Sequence, residues 1–196
     1  MIEPKKSLGQ HWLNDRNSLM EICEAANVSS GDEVLEIGPG KGSLTSVLLE
    51  EGAKVFAVEF DPSAIKYLEQ KFSKELDSVL RIEPGDIRTF DLTRMPAGYK
   101  IVANIPYYLT SHLIQIISES SNPPSSAVLL IQKEVAERVA AGPGKMSLLG
   151  ITAQFYWEAS LAQVIKAKLF DPIPDVDSQI LILTRRDSLP FDVEPK

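Results

Sequence analysis

The sequence predicts an α/β fold: a mostly parallel sheet with helices on both faces. Three observations predict it. Short apolar runs alternate with amphipathic helical patterns along most of the chain, and that alternation builds strand–helix–strand units with right-handed crossovers. Glycines recur at Gly38, Gly40 and Gly42, directly after an apolar run in "VLEIGPGKGSLTSVL". Carboxylates stand at the ends of successive runs, at Glu59 and Asp86.

The elements follow in order. "NDRNSLMEICEAANV" reads as a helix capped by Asn14 or Asp15. "DEVLEIG" is a strand that runs into the glycines, and "SLTSVLLEEG" a helix ended by Gly52. "KVFAVEF" is the second strand. "DPSAIKYLEQKFSKEL" is a helix with Asp61 as N-cap and Pro62 in its first turn. "VLRIEPGD" and "YKIVANIPYY" give the third and fourth strands, the fourth ending in an unusual loop. "LTSHLIQIISES" is a helix, "SSAVLLIQ" the fifth strand and "KEVAERVAAG" the helix after it. "ITAQFYWEASLAQVI" fits helix or strand, and "SQILILTRR" alternates as a late strand. Residues 123–124 and 142–147 are loops, and residues 187–196 are expected to form a tail.

The 196 residues suit one domain with a full core, and 44% apolar content excludes a disordered chain. No apolar run approaches the roughly 20 residues of a membrane span. "MIEPKKSLGQ" has no apolar signal core, so a cytoplasmic location and no membrane partner are expected. The single Cys23 lies in an apolar helical pattern and reads as a small core residue. A net charge of −7 counts against a nucleic-acid partner, though a local basic patch matters more than a total.

In an open parallel sheet, ligands sit beyond the carboxyl ends of the strands. A dinucleotide fingerprint reads G-x-G-x-x-G. Here the spacing is G-x-G-x-G, with Ser43 where the third glycine belongs. Glu36, two residues before the loop, would repel a pyrophosphate and favour a cationic ligand. Glu59, 21 residues after Gly38, stands where a carboxylate accepts both ribose hydroxyls. Asp86 can accept from an adenine amine. Adenosine, a free ribose and a positive charge together describe S-adenosylmethionine.

The fourth strand ends in "NIPYY", Asn104 to Tyr108. This resembles the N-[IL]-P-[YF] motif of methyltransferases that act on nucleobase amino groups. With "SLGQHWL" at 7–13 and "LFDPIPDVDS" at 169–178, the chain resembles the ribosomal RNA adenine N6,N6-dimethyltransferase family, from about Lys5 to Arg185. That resemblance implies a Rossmann-like class I methyltransferase with a seven-stranded sheet over residues 1–186, residues 1–14 covering the cofactor. It implies S-adenosylmethionine as cofactor and small-subunit rRNA as substrate and partner, with no metal and a monomeric state. The reaction would be dimethylation of N6 at two adjacent adenines.

The motif has a chemical reason. The N6 lone pair is delocalised into the ring. The Asn104 side-chain oxygen and the Ile105 carbonyl, freed by Pro106, would each accept an N6 hydrogen and localise that pair. Tyr107 would stack on the base, and the resemblance implies that Phe170 closes on its other face. The resemblance lays Gln10, His11 and Leu13 over the methionine part of the cofactor, and places Ile87 beside Asp86. His11 and Trp12 replace the family's Asn and Phe, and Asp175 replaces a lysine. His112 reads as a helix-surface residue. Lys5, Lys6, Arg16, Lys133, Arg138 and Lys145 are candidates for a basic rim. The family continues into a small helical domain that helps hold RNA. Three alternatives remain open: an erythromycin-resistance-type methylase of large-subunit rRNA, a non-catalytic cofactor-binding assembly factor, and an NAD-dependent oxidoreductase, which the glycine spacing disfavours.

Overall fold

The computed structural model describes residues 2–5 and 8–190. Residues 6–7 of the expected cofactor-covering segment, with Lys6 of the candidate rim, lie outside the described residues, as do residues 191–196 of the tail. The strands are β1 (Trp12–Leu13), β2 (Glu33–Ile37), β3 (Lys54–Glu59), β4 (Leu80–Pro84), β5 (Lys100–Asn104), β6 (Ser126–Gln132), β7 (Trp157–Ile165), β8 (Phe170–Asp171) and β9 (Ser178–Arg185). The helices are α1 (Arg16–Ala25), α2 (Ser43–Glu50), α3 (Pro62–Lys71), α4 (Thr110–Glu119), α5 (Lys133–Val139) and α6 (Leu148–Tyr156).

Seven strands form one sheet in the order β4-β3-β2-β5-β6-β9-β7. The pairs from β4 through to β6 are parallel, and β9 runs antiparallel between β6 and β7. The chain winds outward from β2 to β4 and then returns to place β5 on the other side of β2. That reversal opens a crevice at the carboxyl ends of β2 and β5. β1 and β8 form a separate two-stranded ribbon, Leu13 opposite Phe170.

The strands are buried on both faces, so their residues divide by period two between two cores. In β6, Ala127, Leu129 and Ile131 pack with Leu113, Ile117 and Ala153 of α4 and α6. Val128 and Leu130 pack on the other face with Ile22, Leu48 and Leu68 of α1, α2 and α3. Cys23 is buried in that second core, and burial pushes its thiol up to about 12, so it is inert packing.

Asp15 caps α1, accepting from the Ser18 N–H, and Asp61 caps α3, accepting from the Ser63 N–H at 2.9 Å. α3 is shorter than the expected 61–76. It stops at Phe72, whose ring is buried in the core beneath α2 rather than carried on around the helix. The ambiguous segment divides into α6 and β7 at Trp157. The Trp157 side chain is buried and its indole N–H donates to Ser118 Oγ at 2.7 Å, which fixes it beneath α4.

Candidate active site

A cavity of about 360 Å³ opens where β2, β3, β4 and β5 end. That volume lies within the range of small-molecule and cofactor sites. Gly38, Pro39, Gly40 and Lys41 form its floor after β2. Gly40 has φ +56°, and a Cβ there would lie 2.7 Å from Trp12 Nε1. The glycine lets β1 seat its indole against the loop, and Lys41 Nζ lies 4.2 Å from the Trp12 ring centroid. Gly42 lies behind the cavity wall formed by Lys41 and Ser43. A Cβ there would fall 2.5 Å from Phe72 Cε2 and 2.7 Å from Leu68 Cδ2, so this glycine serves the close approach of α2 to α3.

Three carboxylates face the cavity, each in a different state. Glu36 is 1% exposed and accepts from Thr45 Oγ1 at 2.6 Å. Burial pushes its carboxyl up to about 8 despite that hydrogen bond. Glu59 is also buried, which raises its pKa, while the N–H groups of Asp61 (2.8 Å, to Oε1) and Gly40 (3.0 Å, to Oε2) oppose the rise. Each Glu59 oxygen accepts one of these bonds and so keeps capacity for a hydroxyl donor. Asp86 lies just past β4, where the Arg88 fork holds its carboxyl below the usual range with contacts of 2.5–3.0 Å. Ile87, beside it, is buried and lines the same wall.

The opposite wall comes from the end of β5. Asn104 Nδ2 donates to the His11 carbonyl at 3.2 Å, which turns Oδ1 away from that bond as a free acceptor. Ile105 and Pro106 follow it on the cavity wall. The Tyr107 hydroxyl pairs with Ser178 Oγ at 2.9 Å, and its ring lies 17° from parallel with His11 at 5.9 Å. Phe170 is buried on the cavity beside Leu13, through the β1–β8 pairing. His11 Nδ1 lies 2.7 Å from the Pro172 carbonyl, so the neutral or charged ring donates there. The structure therefore gathers every expected site residue except Gly42 around one cavity.

Gln10 lines the cavity, but its side chain is engaged elsewhere. Its Oε1 accepts from the Lys5 N–H at 2.8 Å, and its Nε2 lies 3.5 Å from Asp61 Oδ2. Sequence reasoning missed Thr45 and Arg88, read Lys5 only as a rim charge, and used Asp61 only as a cap. The candidate basic rim is largely neutralised. Lys5 pairs with Asp61, Arg16 with Glu50, Lys133 with Glu137 and Arg138 with Glu134. His112 is exposed on α4, as expected, and Asp175 is exposed between β8 and β9.

The residues present fit an adenosyl sulfonium ligand: a carboxylate with spare acceptor capacity, a second at the far wall and a buried third beside the glycine loop. A sheet of this order with such a site defines an S-adenosylmethionine-dependent methyltransferase of the Rossmann-like class.

Comparison with known proteins narrows the class. The family model for ribosomal RNA adenine dimethylases matches residues 1–195, and the chain belongs to that family. It is 41% identical to the ribosomal RNA small subunit methyltransferase A of Lactococcus lactis, over 97% of this chain and 67% of that protein. It is 40% identical to the protein of that name from Fusobacterium nucleatum, over 90% of this chain and 67% of the other. The chain thus spans about two thirds of the length of these relatives. Among solved structures, the 23S rRNA methyltransferase ErmE is similar at TM-score 0.82 and 29% identity, covering 93% of this chain and 72% of that one. A dimethyladenosine transferase from Plasmodium falciparum is similar at TM-score 0.81 and 31% identity, covering 90% and 64%.

Proposed function

We infer that the protein transfers methyl groups from S-adenosylmethionine to N6 of two adjacent adenines in small-subunit rRNA, as a cytoplasmic monomer. The observation that carries the chemistry is the Asn104 anchor. Its amide N–H is committed to the His11 carbonyl, so the oxygen points away as an acceptor. That oxygen takes one N6 hydrogen, and the Ile105 carbonyl takes the other. The N6 lone pair is then localised toward the methyl carbon, held roughly 3–3.5 Å away. S-adenosylmethionine held by these residues would supply the methyl group and keep the electron pair of the broken C–S bond on its sulfur. The methylated nitrogen sheds its proton to solvent.

Tyr107, fixed by Ser178, and Phe170, fixed by the β1–β8 ribbon, form the two faces that receive an unstacked adenine. Glu59 holds the ribose hydroxyls, Asp86 the adenine amine, and Glu36 the cationic end. The small-subunit reading is favoured over a large-subunit one by the relatives: the proteins named for the small subunit are 37–41% identical, against 29% for ErmE.

Asn104→Ala separates binding from chemistry. At saturating S-adenosylmethionine, methyl incorporation into rRNA should fall by at least a hundredfold, far more than the loss of S-adenosylhomocysteine affinity that follows from the missing His11 tie. Equal incorporation by variant and wild type would remove Asn104 from the mechanism.

A further inference from the structure

Asp61 caps α3, yet its contacts exceed what a cap needs. Ser63 supplies the local donors, an N–H at 2.9 Å and a hydroxyl at 2.6 Å, both to Oδ1. The carboxylate is 2% exposed, and a third donor reaches it from 56 residues away: Lys5 Nζ, at 2.6 Å, on a side chain that is 46% exposed. Lys5 also donates its own N–H to Gln10 Oε1, and Gln10 Nε2 turns toward Asp61 Oδ2. The three residues close a ring. On the other side, Asp61 donates its N–H to Glu59 Oε1. Burial pushes the Asp61 carboxyl up, but Lys5 and Ser63 outweigh it and hold it at about 2, so the ion pair persists at neutral pH.

The ring stands at one end of a short stretch of wall. Leu8, Gly9, Gln10 and His11 all line the cavity. The far end of that stretch is fixed where the His11 carbonyl accepts from Asn104 and its ring meets Pro172. Among the described residues, Lys5 and Gln10 tie the near end to the body of the domain through Asp61. A chain so short, tied at both ends, keeps its position only while both ties last, and a charge-assisted bond to a buried carboxylate is the stronger kind of tie.

We propose that Lys5 and Asp61 are positioning residues whose ion pair latches Leu8–His11 over the cofactor cavity and sets how long cofactor or product stays bound. This rests on the reading of the cavity as the S-adenosylmethionine site.

The test is the dissociation rate of S-adenosylhomocysteine by stopped flow, for wild type, Lys5→Met, Lys5→Arg, Asp61→Asn and Lys5→Met with Asp61→Asn. Asparagine remains a good cap, so Asp61→Asn spares α3. Each of Lys5→Met and Asp61→Asn should speed release by about tenfold, the double variant no more than either single, and Lys5→Arg should restore slow release. Cofactor-free Lys5→Met should melt lower, because it leaves the buried Asp61 carboxylate short of a donor, whereas the double variant should regain part of that loss and still release fast, which a merely structural role would not give. If Asp61→Asn fails to fold, the two Lys5 variants carry the test alone. Wild-type release from Lys5→Met overturns the latch and leaves the cofactor reading standing. So does a loss of rRNA affinity in Lys5→Met with release unchanged, which would make Lys5 a phosphate contact. If wild type fails to bind S-adenosylhomocysteine, the cofactor reading falls and takes the latch with it.

Discussion

Replacing Glu36 by Gln should flatten the pH dependence of stability. Glu36 is 1% exposed, and burial raises its carboxyl from an ordinary 4.5 to about 8. The folded chain therefore holds this proton more tightly than the unfolded chain does. As pH rises through 4.5, the unfolded chain releases its proton first, and stability falls until the folded carboxyl also ionises near 8. The slope is about 1.4 kcal/mol per pH unit for one proton, and the whole fall is at most about 5 kcal/mol. Glutamine keeps the volume and carries no titrating proton. Urea unfolding of the cofactor-free proteins from pH 5 to 8.5 measures both slopes. Burial raises Glu59 as well, so each protein keeps a residual slope, and the difference between them isolates Glu36. That difference should approach one proton between pH 5.5 and 7.5. A cationic ligand beside Glu36 favours the anion, so S-adenosylmethionine binding at pH 7 should release a proton, visible by calorimetry in buffers of different ionisation enthalpy. Parallel slopes for wild type and Glu36→Gln would refute the reasoning, because a carboxyl that ionises at its ordinary pKa adds no linkage.

The two inner glycines should fail differently. Gly42→Ala meets Phe72 and Leu68 at φ +69° and should destabilise the protein by about 2–4 kcal/mol, from left-handed strain plus overpacking, with cofactor affinity kept in the folded fraction. Gly40→Ala pushes on Trp12 instead and should weaken S-adenosylhomocysteine binding severalfold; calorimetry and urea melts separate the two. Asp175→Lys should strengthen rRNA binding and steepen its salt dependence by about one unit of slope without changing cofactor affinity, as a salt series would show.

Much of this fold was legible because its signals are local. Buried strands such as β6 read as continuous apolar runs, and Asp15 and Asp61 announce their helices. The site was legible through strand ends, since a parallel sheet brings Glu36, Glu59, Asp86 and Asn104 together whatever the details of packing. Long-range contacts were not legible. β1 and β8 have two residues each, too few for any period, and their pairing spans most of the chain. The Lys5–Asp61 pair joins residues 56 apart, each with an ordinary local explanation. The packing role of Gly42 was not legible, because a glycine in a ligand-binding motif can serve the ligand or the helix behind it, and only the positions of Leu68 and Phe72 reveal the second. The stretch around Trp157 fits both periods, and its division depends on the buried bond to Ser118.

The proposed activity is the transfer of methyl groups to adenine N6 in small-subunit rRNA. Its most direct test is incubation of the protein with S-adenosylmethionine and small ribosomal subunits that lack the modification, followed by nuclease digestion and mass spectrometry of the rRNA. N6,N6-dimethyladenosine should appear at two adjacent positions, and should be absent with Asn104→Ala. Dimethyladenosine formed only in large-subunit rRNA, or none in either subunit from protein that binds the cofactor, would contradict the account.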